Sequence, residues 1–158
     1  MGGRMSEHFS IAELTRTDTG IQNAPAAEDI ANLARLCAYL LEPARELLGV
    51  PIIIHSAYRC PRANGMVGGD PMSAHLTGRA CDFHPGNGMD IKDAFDRLRI
   101  SPLQYDKIIL EHHGGSWWIH IQVAKPGAEA RGKAYTASAG EHGMVYREVP
   151  NGTRQAPV

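Results

Sequence analysis

Ser73-Ala74-His75-Leu76-Thr77-Gly78-Arg79-Ala80-Cys81-Asp82-Phe83, followed about forty residues on by Trp117-Trp118-Ile119-His120-Ile121-Gln122-Val123, decides the reading of this chain. In the second stretch strand alternation puts Trp118, His120 and Gln122 on one face and Ile119 and Ile121 on the other. In the first, a short strand from Ala80 to His84 turns Asp82 away from the side taken by Cys81 and Phe83. Gly78 lies between His75 and Asp82, where a tight turn lets both side chains face one point. Two imidazoles and one carboxylate make a three-donor zinc set with the fourth position open. Catalytic zinc sites use that arrangement, whereas structural ones are closed by four protein ligands. The open position is where a water can be activated toward a carbonyl.

Working outward, Ser10-Ile11-Ala12-Glu13 fits a capping box and predicts a short helix. Apolar residues then recur at Ile30, Leu33, Cys37, Leu40, Leu41, Ala44, Leu47 and Leu48, which predicts a helix over 26–48, ended by Gly49 and kinked or split by Pro43. Pro51 to Tyr58 is short, β-branched and bounded by turn residues, hence a strand. Residues 60–74 hold two prolines and three glycines and read as a long functional loop. A helix over 91–98 starts at Asp90. Tyr105–Glu111 and Trp117–Val123 read as strands joined by a connection over 112–116. After Ala124 the pattern decays, except for an edge strand over 144–149 and a frayed end over 150–158. Helices first and a small, mainly antiparallel sheet after them make an α+β fold with N-terminal helices packed on the sheet.

At 158 residues this is one domain, with a core over about 9–124 and a peripheral tail over 125–158. A formal net charge of −1 gives no electrostatic case for nucleic acid or an anionic membrane. No apolar run reaches the ~18 residues of a membrane helix. Eight histidines are many for this length, and most lie between His55 and His120. Three cysteines without regular spacing argue against a disulfide framework, with a Cys60–Cys81 bridge as the alternative.

Ser56-Ala57-Tyr58-Arg59 ending a strand, Asn64-x3-Gly68-Gly69 and the Ser73–Phe83 run resemble the M15 family of zinc D-Ala-D-Ala peptidases. That family includes carboxypeptidases, dipeptidases and phage endolysins that cut peptidoglycan stem peptides, and it shares its fold with the signalling domain of hedgehog proteins. Tyr105-Asp106-Lys107-Ile108-Ile109-Leu110-Glu111 with Trp118-Ile119-His120 is similar to its small bacterial and phage-encoded members. The likeness runs roughly from Phe9 to Val123.

The resemblance implies one zinc ion per chain, held by His75, Asp82 and His120. It puts Arg59 over the scissile carbonyl, where its fork of donors stabilises an oxyanion, and Ser73 within the site to orient loop or substrate; Tyr58, beside Arg59, and Trp118, on the cleft wall, are the further candidates for substrate contact. Many members carry an acidic residue three positions before the last ligand, and here Trp117 stands there. Glu111, at the end of the preceding strand, is the nearest carboxylate and becomes the candidate general base. The expected function is zinc-dependent hydrolysis of a stem-peptide bond, either D-Ala-D-Ala carboxypeptidase or endolysin-type endopeptidase, by a monomer. The missing acid favours an alternative, a zinc-stabilised wall-binding or phage structural module without turnover. The start Met1-Gly2-Gly3-Arg4-Met5-Ser6 lacks the apolar core of a signal peptide. Synthesis in the cytosol is therefore expected, with action on the cell wall after release in a phage or prophage setting.

Overall fold

Ser10 accepts the Glu13 amide at 3.2 Å and starts α1 (Ile11–Leu14), as the capping pattern predicts. The structure, a computed structural model, describes residues 3–150. The expectation of a frayed end beyond Pro150 lies outside the described residues. The amphipathic stretch forms α2 (Ala27–Leu36) and α3 (Glu42–Leu48), joined by a widened turn over Cys37–Leu41. A proline has no amide to give and crowds the carbonyl four residues back. The chain meets Pro43 with a π-turn just before it, in which the Glu42 amide reaches back to the Cys37 carbonyl. Gly49, at φ 68°, ends α3 in the left-handed conformation. Leu33, Cys37, Leu40, Leu41 and Ala44 are fully buried along the predicted stripe and Leu36 joins them, whereas Ile30 and Leu47 on its flanks are exposed.

Six strands form one sheet: β1 (Ile52–Ser56), β2 (Ala80–Pro85), β3 (Lys107–His113), β4 (Ser116–Gln122), β5 (Lys133–Gly140) and β6 (Gly143–Val149). Their order is β1-β2-β4-β3-β5-β6, antiparallel except for the parallel pair β3 and β5. The architecture is α+β. One face of the sheet carries Phe83, Ile108, Leu110, Ile119 and Ile121, which join the α2–α3 leucines and Phe95 and Leu98 of α5 (Ile91–Arg99) in a single core. Asp90 caps α5 as expected, accepting the Asp93 amide at 2.9 Å.

Three stretches differ from the sequence expectation. The supposed loop 60–74 contains α4 (Pro61–Met66), capped by the Cys60 sulfur, with Pro61 in the first turn, where a missing amide costs nothing. The β3–β4 connection shrinks to Gly114-Gly115, whose φ values of 57° and 80° suit a two-residue hairpin turn. Residues 133–140, read as patternless, form β5, which is held by β3 on one side and β6 on the other. All three cysteines are free, so the Cys60–Cys81 bridge does not form.

Candidate metal centre

Asp82 and His120 stand directly opposite each other in β2 and β4, so both side chains leave the sheet on the face away from the core. A bulge at His55 brings Ser56 into the same row, opposite Asp82. His75 comes from a single 3₁₀ turn, Ala74–Thr77. Ser73 caps that turn by accepting the His75 amide at 3.2 Å. Gly78 closes it at φ 74°, where a Cβ would lie 2.6 Å from the Asp29 carbonyl oxygen and 3.0 Å from Leu33. Only glycine lets the turn press onto α2 and carry His75 to the sheet. The donor atoms of His75, Asp82 and His120 then lie within 4.8 Å of one another.

The chemistry of these donors fits a metal ion. The Nδ1 of His75 lies 2.6 Å from the Ala57 carbonyl oxygen, which can only accept, so Nδ1 carries the proton. Its Nε2 lone pair faces Asp82 Oδ2 at 3.2 Å. The Nε2 of His120 is 2.9 Å from Gln122 Oε1, while its Nδ1 is 3.0 Å from Asp82 Oδ1. Two imidazoles tethered from outside and one carboxylate thus point acceptor atoms at a common centre, as metal-binding histidines do. Burial opposes the charge on Asp82, yet the two imidazoles outweigh it and hold the carboxyl far below the usual range. Burial likewise opposes charge on His120, but Asp82 and Gln122 raise its basicity above the ordinary value. The site favours positive charge where a cation would sit.

Arg59 follows β1. Its Nε donates to Asn64 Oδ1 at 3.1 Å, its Nη1 to Ser56 Oγ at 3.3 Å, and Nη1 stands 3.9 Å from Asp82 Oδ2. Gly69 makes room for this clamp, because a Cβ there would fall 2.1 Å from Asn64 Oδ1. Asn23 pins the same segment, donating to the Thr15 and Tyr58 carbonyls and accepting the Cys60 amide. Glu111 pairs with Trp118 across β3 and β4, two residues along from the Ile109–His120 pair, and so shares the metal-site face. Burial, then the charge of Asp82, raise its carboxyl above the ordinary value, although His120 pulls the other way.

A cavity of about 1100 Å³ opens over this face, lined by Arg59, Ser73, Glu111, Trp118 and the three donors. Asp70 and Met72 stand on one rim, Tyr135, Met144 and Tyr146 of β5 and β6 on the other. Tyr58 is not among its lining residues. It is buried in the core, and its hydroxyl lies 3.5 Å from the Ala24 carbonyl. Trp117 lies on the opposite face, stacked on His112 with its ring centroid 4.1 Å away and with the Lys92 ammonium 4.8 Å from its own centroid. His55 and His84, on neighbouring strands, bond to each other. Asn23 and Tyr146 carry no signal in the sequence pattern, and Asp106 stands in the Tyr105–Glu111 run without a role that the pattern reveals. Gln122 was visible through its alternation with His120, but its role was not.

No curated protein matches the chain at a significant level. The family model described as Peptidase M15 matches residues 7–122, from the approach to α1 through the end of β4. That span holds all three donors together with Arg59 and Glu111 and covers well over half of the chain, which therefore belongs to the M15 peptidase family.

Proposed function

We propose that this protein is a zinc peptidase that hydrolyses a peptide bond in the stem peptides of bacterial peptidoglycan, in a phage or prophage lysis setting. The observation that carries the proposal is the convergence of His75, Asp82 and His120 at the floor of a cavity that also receives Glu111 and Arg59. Zinc bound there supplies Lewis acidity toward the scissile carbonyl and the attacking water. Glu111 takes the proton of that water and returns it to the leaving amine, a role suited to a carboxyl whose proton affinity is raised. Arg59, clamped by Asn64 and Ser56, presents donors to the oxygen on which negative charge develops. The substrate backbone lies between the Asp70–Ser73 rim and the rim formed by β5 and β6.

Mass spectrometry of purified muropeptides incubated with zinc-loaded protein, with and without chelator, tests the proposal. Loss of a terminal D-Ala, or one specific internal cut, abolished by chelator, is the expected result. Intact stem peptides alongside one tightly bound zinc would overturn it.

A further inference from the structure

The Arg131 side chain belongs to the connection between β4 and β5, beyond the segment that the family model matches. That connection crosses the start of β3, where the Gly132 amide donates to the Tyr105 carbonyl and the Lys133 amide to that of Asp106. There the Arg131 fork closes on Asp106, with Nε 3.0 Å from Oδ1 and Nη2 2.7 Å from Oδ2, while the Arg131 amide donates to Oδ1 at 3.1 Å. The Asp106 carboxylate also accepts the Gln122 side-chain amide, Nε2 to Oδ2 at 3.0 Å. Ionised Asp106 has no proton to give, so Gln122 must turn its NH₂ toward it and its Oε1 toward His120. An amide oxygen only accepts, so the His120 nitrogen 2.9 Å away, Nε2, must carry a proton. In the neutral imidazole that leaves the lone pair on Nδ1, the atom that faces Asp82.

We infer that Arg131, Asp106 and Gln122 form a positioning relay that fixes His120 in the tautomer presenting Nδ1 to the metal. The segment after β4 is thereby part of the metal site. The inference rests on the zinc reading of the site but not on the substrate. Turning any link round breaks the chain, since a flipped Gln122 would set its oxygen against the Asp106 carboxylate and its NH₂ against the Nε2 proton. Outer partners of metal-binding histidines are commonly worth about 10–100-fold in metal affinity.

Zinc affinity by competition with a chelating dye, measured on the whole chain, provides the test. Gln122→Met should weaken binding by about 10–100-fold. Arg131→Met should weaken it less, and Arg131→Lys should recover part of that loss. Lys133→Met, which removes the neighbouring Lys133–Glu148 ion pair of the same segment, should leave affinity unchanged. In the zinc-loaded protein the His120 Nε2–H resonance should be protected from solvent exchange and lose that protection in Gln122→Met. Arg131 has a largely exposed side chain, so its variants keep the test open should Gln122→Met fail to fold. Parental affinity in folded Arg131→Met, or an unchanged Nε2–H signal in Gln122→Met, would overturn the relay. Zinc binding that responds as expected in a protein that cuts no stem peptide would sink the proposed function and leave the relay standing. A parent that binds no zinc would overturn both.

Discussion

The two faces of the central sheet are built from the same strands, and alternate residues go to opposite fates. On one face Phe83, Ile108, Leu110, Ile119 and Ile121 are buried against helices, and none needs a particular partner beyond a well-filled space. On the other, Asp82, Glu111, His120 and Gln122 occupy the intervening positions, and each buried side-chain nitrogen or oxygen among the described residues has a partner. The apolar face derives its stability from area and tolerates rearrangement. The polar face depends on direction, because a donor aimed at the wrong atom leaves a buried group unsatisfied. One residue of strand register separates core from chemistry.

Glu111→Gln breaks the polar face most sharply under the proposed function. The amide keeps the size of the side chain but cannot take a proton from water. Peptidase turnover should fall by about 10²–10⁴-fold, the usual contribution of a general base, while zinc affinity stays within a few-fold of the parent. Steady-state cleavage of a stem peptide together with a zinc titration reads both quantities. Turnover near the parental rate would remove Glu111 from the mechanism.

The faces were legible in the sequence to different depths. Alternation alone separates His120 from Ile119 and Ile121, and it does so correctly because a strand has a period of two. The spacing of His75, Gly78 and Asp82 carries the rest of the donor set. What alternation cannot supply is register. Glu111 lies opposite Trp118, and Gln122 reaches Asp106, only because the hairpin turns at Gly114-Gly115 and fixes the pairing. Arg131 was hidden more deeply, since its contact depends on a connection that crosses the start of β3. β5 was hidden for a different reason. Lys133-Ala134-Tyr135-Thr136-Ala137-Ser138-Ala139-Gly140 has little β-branched or large apolar character, and its strand is imposed by neighbours on both sides. α4 could have been found from Pro61 at a helix start, a signal masked by the glycines after it.

Ile121→Val tests how independent the two faces are. Ile121 is fully buried and sits next to His120 in sequence, yet points the other way. Losing one methylene from a packed core typically costs about 0.5–1.5 kcal/mol. Denaturant unfolding should register that loss, whereas zinc affinity at low temperature should not move. A parallel fall in zinc affinity would mean that the backbone of β4 transmits core strain to the site.

The smallest expected effect concerns the outer edge of the polar face. Burial opposes ionisation of Asp106, but its bonds to Arg131 and Gln122 prevail and bring its carboxyl down to about 2, from an ordinary value of 3.8. A carboxyl whose folded value is depressed binds fewer protons than it does in the unfolded chain. Its stabilising contribution is therefore present above the ordinary value and is lost as pH falls from 3.8 toward about 2. Arg131→Met removes the main favourable partner, so its melting temperature should lie below that of the parent at neutral pH. The gap should close as pH falls through that window, because below it Asp106 is protonated in both proteins and the missing guanidinium no longer matters. The comparison belongs in chelator, so that loss of metal at acid pH does not add to it. A gap that stays constant down to the bottom of the window would mean that Arg131 stabilises the crossover by packing its side chain rather than by holding the Asp106 charge.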